Sequence, residues 1–209
     1  LCSSDVMPKI LWVKNKEPHV YEKSHKFLTG SSYITAKLTG RYTVDRFLGL
    51  SSFNPLYRRD GTPDEALCGP ICRPDQLAEV LSTIDIAGYV TAQAAAETGL
   101  AEGTPVTVGT DDSGAEAISA GVLEPGDMML QMGSSVYMFL CTERLINDDR
   151  VWREEFIIPG TFDISAGTNT AGTLTRWFRD ELFFDALEEE KKTGTNAYEV
   201  MMRGLEDIL

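Results

Sequence analysis

The sequence predicts an α/β protein in which a mainly helical part is followed by a part rich in β-hairpins. Residues 105–122 read as a short strand, a glycine break, two adjacent aspartates and a helix of small residues. From residue 128 onward, apolar runs flank Gly-Ser and Pro-Gly turns, a pattern typical of paired neighbouring strands. We therefore expect the helical part to end near residue 122, with the small-residue helix joining the two parts.

In the helical part, the pattern over residues 10–28 predicts two helices, the second with Pro18 in its first turn. Residues 31–40 predict a helix that Gly40 ends. Residues 41–54 predict an irregular polar and aromatic stretch, and residues 58–61 (Arg-Arg-Asp-Gly) predict the turn that closes it.

The next segment alternates between the two kinds of element. Apolar residues at positions 77, 80 and 81 have helix spacing and predict a helix over 74–81. Residues 84–90 predict a strand or an extended link, and the alanine-rich residues 91–100 predict a helix that Gly99 ends. Val106 and Val108 then favour a short buried strand that stops at Gly109.

Beyond a turn at 123–127, residues 128–142 predict a hairpin around Gly133, Ser134 and Ser135. A second hairpin is predicted over 156–165, turning at Pro159 and Gly160. Residues 168–182 predict a helix with one apolar face, made of Leu174, Trp177, Phe178 and Leu182. Residues 187–192 predict a solvated run of charges.

Composition limits the function classes. A net charge of −13 over 209 residues argues against nucleic acid and anionic membranes as partners, since both bind clustered Lys and Arg. No apolar run reaches the ~18 residues of a membrane span. The first residues lack an initiator Met and a secretion signal, so we expect a cut edge of a cytoplasmic protein. Cysteines 2, 68, 72 and 141 lack metal-ligand spacing and predict reduced thiols.

The two aspartates carry the chemistry of residues 105–122. Asp111 or Asp112 falls at the helix N-cap, where a carboxylate suits the free N–H groups and the positive end of the helix dipole. A strand-to-helix turn in an open α/β sheet is also a common place for a catalytic carboxylate. The residues alone leave both interpretations open, a catalytic base or the cap of an ordinary core helix.

Five segments, in this order, resemble the FGGY carbohydrate kinases, and within that family the xylulokinases most. They match its Pro-Lys-Leu-Leu-Trp segment, its Leu-Thr-Gly helix with an Asp after it, its Gly-Gly-Asp motif, its Gly-Thr-Ser phosphate turn and its nucleotide-bordering helix. In this chain the five segments are Pro8-Lys-Ile-Leu-Trp12, Tyr33–Gly40 with Asp45, Gly109-Thr-Asp-Asp-Ser-Gly114, Gln131-Met-Gly-Ser-Ser135 and Ala171–Asp180.

The resemblance implies part of a ribonuclease H-like, or actin-like ATPase, fold: the end of the first lobe plus the start of the second. Residues 1–122 would be the C-terminal part of the sugar-binding domain, and residues 123–209 the beginning of the nucleotide-binding domain. It also implies ATP-dependent phosphorylation of a sugar hydroxyl, in a ketopentose such as D-xylulose, with Mg²⁺.

Site residues follow from the same resemblance. Asp111 would be the general base and Asp112 a sugar-binding neighbour. Four residues would meet the nucleotide: Gly133, Ser134, Gly172 and Arg176. No protein side chain is assigned to a metal. The resemblance departs from the family at two of these positions, because Ser134 replaces a usual Thr and Arg176 a usual Gln.

The family's Asp-x-Gly-Thr loop and Gly-rich adenosine segment are absent from the 209 residues, so we expect little turnover from this chain alone. Self-association as a homodimer is also expected. Two alternatives stay open: a kinase for another polyol such as glycerol, ribulose or gluconate, and a non-catalytic, self-associating structural module.

Overall fold

The structure is a computed structural model that describes residues 5–148 and 150–203. The chain forms two compact units. Unit 1 comprises residues 1–127 and 140–164, and unit 2 comprises residues 128–139 and 165–209. Cys2 lies outside the described residues, whereas Cys68, Cys72 and Cys141 are buried free thiols, as predicted.

The observed elements confirm the α/β class. The helices of the described residues are α1 (Val6–Lys16), α2 (Pro18–Lys23), α3 (Gly30–Thr39), α4 (Arg46–Leu50), α5 (Glu65–Cys68), α6 (Ala92–Thr98), α7 (Asp112–Ser119), α8 (Gly172–Leu182), α9 (Phe184–Thr193) and α10 (Ala197–Met202). The strands are β1 (Thr43–Asp45), β2 (Glu79–Leu81), β3 (Ile86–Tyr89), β4 (Pro105–Thr107), β5 (Met128–Met132), β6 (Val136–Thr142), β7 (Trp152–Glu155) and β8 (Phe162–Thr168).

Three separate pairings organise these strands. β1 and β2 pair in parallel, β3 and β4 pair antiparallel, and a four-stranded sheet has the order β5-β6-β8-β7. Within residues 5–148 and 150–203, none of the helices combines the length and the hydrophobicity needed to cross a bilayer.

The early helices confirm the sequence predictions. Pro18 lies in the first turn of α2, and Gly40 ends α3 with a φ of 74°, a left-handed conformation that glycine adopts without strain. The side chain of Thr29 caps α3 by accepting a hydrogen bond from the Ser32 N–H. Met7, Ile10 and Tyr21 bury their side chains in the core of unit 1.

Two predictions in unit 1 are wrong. Residues 41–54 are not irregular, because they form β1 and α4, and all three residues of β1 are buried. Residues 74–81 are not a helix, because a short 3₁₀ helix (Pro74–Gln76) is followed by β2. Both errors have one cause: β1 and β2 hydrogen-bond to each other across some 35 residues of chain, so neither strand has a local pattern to reveal it.

The region before the aspartates has the predicted elements, but its strand is not buried as predicted. β3 lies within the predicted strand, and α6 ends at Gly99, whose φ is 79°. β4 pairs with β3 through residues 105–107. Val108 is buried and Gly109 turns the chain with a φ of 78°, although the strand residues themselves are exposed or half-buried.

Hydrogen-bonded neighbouring strands lie at both predicted hairpins, but the first strand of the second hairpin is residues 152–155 and not 156–158. Residues 133–135 connect β5 to β6, and Gly160 turns the chain between β7 and β8 with a φ of 83°. The last long helix, α8, begins at Gly172 and not at residue 168, because residues 162–168 extend β8. The predicted run of charges belongs to α9. The apolar face predicted for α8 is exposed at all four positions, Leu174, Trp177, Phe178 and Leu182.

Candidate active site

The turn between β4 and α7 holds the predicted base, Asp111. Backbone hydrogen bonds fix its approach, since the Val108 N–H donates to the Asp85 carbonyl and the Gly109 N–H to the Thr83 carbonyl. Asp111 then takes an extended backbone conformation, and helix α7 starts at Asp112. The sequence therefore places a carboxylate at the mouth of a strand-to-helix turn, as predicted.

Asp111 caps α7 with both of its carboxylate oxygens. Oδ1 accepts from the Gly114 N–H at 2.8 Å, and Oδ2 accepts from the Ser113 hydroxyl at 2.7 Å. An ionised carboxylate offers about four acceptor sites, so these two bonds leave about half of its capacity unused. Asp111 is also half-buried and not enclosed. Capping and proton acceptance are thus compatible roles for the same side chain.

The absence of a side chain at Gly114 leaves space for the Asp111 carboxylate. A Cβ at position 114 would lie 3.1 Å from Asp111 Oδ1, 3.3 Å from Thr110 Oγ1 and 3.4 Å from the Ile157 side chain. Gly114 and Ala117 are buried, so the small side chains of α7 permit close packing of its inner face. This close packing against α7 explains the pattern of small residues in the sequence.

Asp112, the predicted sugar neighbour, differs from Asp111 in its surroundings. It is the first residue of α7, it is exposed, and its Oδ1 accepts from the Ser113 N–H at 3.0 Å. Adjacent helical residues point about 100° apart, so the two carboxylates face different directions. A division of roles between them is geometrically reasonable and stays a prediction.

Asp45 is a buried carboxylate whose contact with the Asp111 turn the sequence did not reveal. The side chain of Asp45 is 2% exposed and caps α4. Its Oδ2 accepts from the Leu48 N–H at 3.4 Å and from the Thr110 hydroxyl at 3.0 Å. Burial raises the pKa of Asp45 to about 6; these hydrogen bonds oppose the rise, and the nearby charge of Asp111 adds to it.

Glu154 is a carboxylate near Asp111 that sequence reasoning missed. It lies in β7, and burial raises its pKa to about 7, against a hydrogen bond with Ser51 and with a contribution from the charge of Asp111. The next residue, Glu155, pairs with Arg46 at 3.0 Å. Glu154 precedes no turn and matches no motif, so no local signal could have connected it to a residue 43 positions earlier.

A cavity of about 300 Å³ in unit 1 lies beside this ion pair. Its lining includes Arg46, Phe47, Glu155 and Phe156, together with the turn at Pro159. Neither Asp45 nor Asp111 contributes to the lining. The candidate base therefore lies at an open turn, outside this cavity.

In unit 2 the structure brings together three of the four predicted nucleotide residues. The Gly172 N–H donates to the Gly133 carbonyl at 2.9 Å, and the Ala171 N–H donates to the Ser134 carbonyl at 2.8 Å. A Cβ at position 172 would lie only 2.5 Å from the Gly133 carbonyl oxygen. The hairpin turn and the start of α8 thus touch backbone to backbone, which only glycine at position 172 allows.

Arg176, the fourth predicted nucleotide residue, is exposed one turn further along α8. Residues four apart on a helix share a face, so Arg176 lies on the same side of α8 as Gly172. The predicted set Gly133, Ser134, Gly172 and Arg176 is therefore local to one end and one face of a single helix.

Comparison with known proteins gives the chain its family. Residues 2–119, more than half of the chain, match the FGGY family of carbohydrate kinases, N-terminal domain. A ribulokinase from Shouchella clausii is 28% identical over 92% of this chain, and an autoinducer-2 kinase from an Enterobacter species is 29% identical over 93%. The chain spans 36% and 37% of these two relatives.

Solved structures agree with the sequence comparisons. The xylulose kinase from Rhodospirillum rubrum superposes with a TM-score of 0.76 at 27% identity, covering 91% of this chain and 39% of that kinase. The α/β arrangement is accordingly part of the actin-like ATPase fold of these kinases. From the matched residues and the shared fold together, this chain belongs to the FGGY family of carbohydrate kinases.

Proposed function

We propose that this chain is part of an ATP-dependent kinase that phosphorylates a hydroxyl of a sugar, a ketopentose such as D-xylulose, with Asp111 as the general base. One observation carries the proposal beyond family membership. The Asp111 carboxylate is fixed at the start of α7 by two hydrogen bonds, yet it retains acceptor capacity for a third group.

Phosphoryl transfer to an alcohol needs such a carboxylate. As the hydroxyl oxygen attacks the γ-phosphorus, its proton must leave, and a positioned carboxylate accepts it. A base that is already oriented does not have to be ordered during the reaction, which lowers the barrier. Asp112, exposed beside it, would accept a hydrogen bond from a second sugar hydroxyl and help orient the acceptor.

ATP would be met in unit 2. The Gly133 turn and the Gly172 helix start offer closely packed backbone without side chains, the kind of surface that phosphates approach. The Ser134 hydroxyl would donate to a phosphate oxygen, and the exposed Arg176 would add positive charge. These residues fit a nucleotide, which when bound supplies the phosphoryl group.

We expect Mg²⁺ to bind as a complex with the nucleotide phosphates. Among residues 5–148 and 150–203, no three His, Cys, Asp or Glu side chains are arranged to hold a metal ion. Mg²⁺ commonly keeps its waters and binds substrate phosphates with only one or two carboxylates. Such an ion needs no cluster of three protein ligands, and we assign no side chain of the described residues to it.

Catalytic competence would depend on more than these residues, since the chain spans 36% of the ribulokinase. We expect the 209-residue chain to show little turnover by itself, because walls missing from a cleft remove positioning energy. The complete enzyme would act in the cytoplasm, and homodimerisation is part of the same proposal.

The proposal is tested with Asp111→Asn in a full-length family member carrying this chain, with Asp112→Asn as the matched control. Loss of a general base lowers kcat by roughly 10²–10⁴-fold. Asp111→Asn should fall in that range with ATP affinity unchanged, whereas Asp112→Asn should chiefly raise KM for the sugar. Turnover within about threefold of wild type in Asp111→Asn would refute the assignment.

The acceptor is decided by a coupled ADP-release assay with D-xylulose, D-ribulose, L-ribulose, glycerol and gluconate. The similar proteins reported above are named for ribulose, autoinducer-2 and xylulose, so their names do not select one acceptor. The highest kcat/KM among these polyols identifies the substrate. A clear preference for a polyol other than a ketopentose would correct the finer proposal and leave the kinase class in place.

A second candidate role, a self-associating structural module, has one supporting observation. The α8 side chains Leu174, Trp177, Phe178 and Leu182 are between 39% and 55% exposed. Exposed apolar patches often mark surfaces that bind a partner protein. Light scattering on the 209-residue chain tests this role, and a monodisperse monomer with cooperative melting would count against it.

A further inference from the structure

A side-chain hydrogen bond from Thr110 to Asp45 ties the turn that carries Asp111 to another part of unit 1. We propose that Asp45 is a positioning residue: it holds the Thr110 hydroxyl and thereby fixes the backbone from which Asp111 projects. The inference deepens the proposed function, because it rests on Asp111 being the base. Asp45 itself touches no reacting atom in this proposal.

Asp45 is a rigid anchor because its own backbone is fixed on both sides. It is the last residue of β1, where it pairs with Leu81 of β2, and it is also the cap of α4. With its side chain 2% exposed, it has no freedom to move into solvent. A hydrogen bond to this side chain therefore transmits the position of β1 and α4 to its donor.

Thr110 is that donor, and its neighbours on both sides in the turn are held by other contacts. On its N-terminal side, the Thr35 hydroxyl donates to the Val108 carbonyl at 3.3 Å, and Gly109 makes the left-handed turn. On its C-terminal side, the Gly114 N–H holds Asp111. Between them, the 3.0 Å bond from Thr110 Oγ1 to Asp45 Oδ2 joins the turn to the core.

The chemistry of Asp45 supports a positional purpose. Burying an ionised carboxylate costs free energy of desolvation, and the two hydrogen bonds of Asp45 offset only part of that cost. Both bonds end on the same oxygen, one from the start of α4 and one from Thr110. Asp45 thus links two chain segments 65 residues apart, a link that an apolar side chain of similar size could not make.

The test compares three variants of the 209-residue chain by NMR amide hydrogen exchange. Thr110→Val removes the hydroxyl at nearly constant shape, Thr110→Ser keeps the hydroxyl, and Asp45→Asn keeps an acceptor. Loss of one hydrogen bond corresponds to roughly tenfold in a local opening equilibrium. We therefore expect the Gly114 amide to exchange about tenfold faster in Thr110→Val and within about twofold of wild type in the other two.

A purely structural role predicts a different pattern. The Ala95 amide of α6, which donates to the Thr91 carbonyl, serves as the internal reference. Faster exchange confined to Ser113 and Gly114 supports positioning. Unchanged exchange at Gly114 in Thr110→Val, or an equal rise at Ala95, overturns it. Should Thr110→Val not fold, Thr110→Ala provides the same comparison.

Kinetics separates this inference from the proposed function. In a full-length family member carrying this chain, Thr110→Val should lower kcat about tenfold with little change in KM for the sugar, and Thr110→Ser should restore it. If Asp111→Asn keeps its turnover, the proposed function fails whatever Thr110 does. If Asp111→Asn loses turnover but Thr110→Val does not, only the positioning role fails.

Discussion

The Asp111 turn in unit 1 and the Gly133 turn in unit 2 hold their candidate residues in opposite ways. At Asp111 each bond involves a side chain: the carboxylate accepts from the Ser113 hydroxyl and the Gly114 N–H, and Thr110 donates to Asp45. At Gly133 the bonds are between backbones, from the amides of Ala171 and Gly172 to the turn carbonyls.

The difference follows from what each turn would bind. A base must present one particular carboxylate, so polar side chains hold it in place. A phosphate binds to backbone N–H groups, so side chains must not block its approach to the chain. Glycine at position 172 permits a contact with the Gly133 carbonyl that any Cβ would block. The first turn should therefore be sensitive to loss of a polar group, and the second to gain of a carbon atom.

The largest expected effect on stability comes from Gly172→Ala. Its Cβ would lie 2.5 Å from the Gly133 carbonyl oxygen, and backbone cannot move aside as a flexible side chain can. Overpacking of this kind destabilises by about 3 kcal/mol, which would separate the turn from α8. Urea denaturation, with hydrogen exchange of peptides spanning residues 133 and 172, measures both consequences.

Gly30→Ala is the matched control for that substitution. Gly30 is likewise the first residue of its helix, and a Cβ there would meet nothing within 4 Å. We expect Gly30→Ala to be neutral or to stabilise by up to about 1 kcal/mol, because alanine has the better helix propensity. Equal destabilisation by both variants would contradict the close-approach argument.

The second effect is pH-dependent and sharpens the comparison on the side of unit 1. Burial raises the pKa of Asp45 from 3.8 to about 6, so folding favours the protonated form. The stability associated with this group is fully present below pH 4 and is lost as pH rises through about 6. The free energy of unfolding of Asp45→Asn, relative to that of wild type, should therefore rise by roughly 2 kcal/mol from pH 4 to pH 8, as measured by urea denaturation.

Asp60→Asn provides a control of opposite sign. The hydroxyl and amide of Thr62 hold the pKa of Asp60 below its usual value, so its contribution is present at neutral pH and lost as pH falls. Asp60→Asn should therefore be weakened relative to wild type at neutral pH and not at low pH. The same direction of change in both variants would show that burial at Asp45 is not the cause.

The third effect isolates the capping role of Asp111. Removing an N-cap side chain costs about 1 kcal/mol, whereas asparagine caps nearly as well as aspartate. Asp111→Ala should therefore destabilise the chain by about 1 kcal/mol, and Asp111→Asn should change its stability much less. Thermal melting of the two variants measures this, with Thr91→Ala, the cap of α6, as a reference of similar size.

The smallest effect is expected at Ser134. Its carbonyl accepts from Ala171, while its side chain is exposed, so the turn does not depend on the hydroxyl for its shape. Ser134→Ala should change the free energy of unfolding by less than about 0.5 kcal/mol. A loss as large as that of Gly172→Ala would show that both turns are held by side chains, and the contrast between them would disappear.

Local signals in the sequence were enough to predict the elements that end at a glycine turn or begin at a capping residue. Gly40, Gly99 and Gly109 each turn the chain where expected, and one of the two candidate aspartates, Asp111, caps α7. The predictions failed where an element depends on a distant partner. β1 and β2 are three residues each and define each other by pairing, and α8 starts late because β8 pairs within a sheet.

The same distinction applies to the candidate site. The sequence alone determined that one of two adjacent carboxylates begins the small-residue helix and that the chain turns at Gly133, because capping and turn chemistry act over three or four residues. Only the tertiary structure decided that Asp45 reaches Thr110, that Glu154 lies within electrostatic reach of Asp111, and that Gly172 touches Gly133. Those contacts join segments between 39 and 65 residues apart, and folding, not local propensity, brings such segments together.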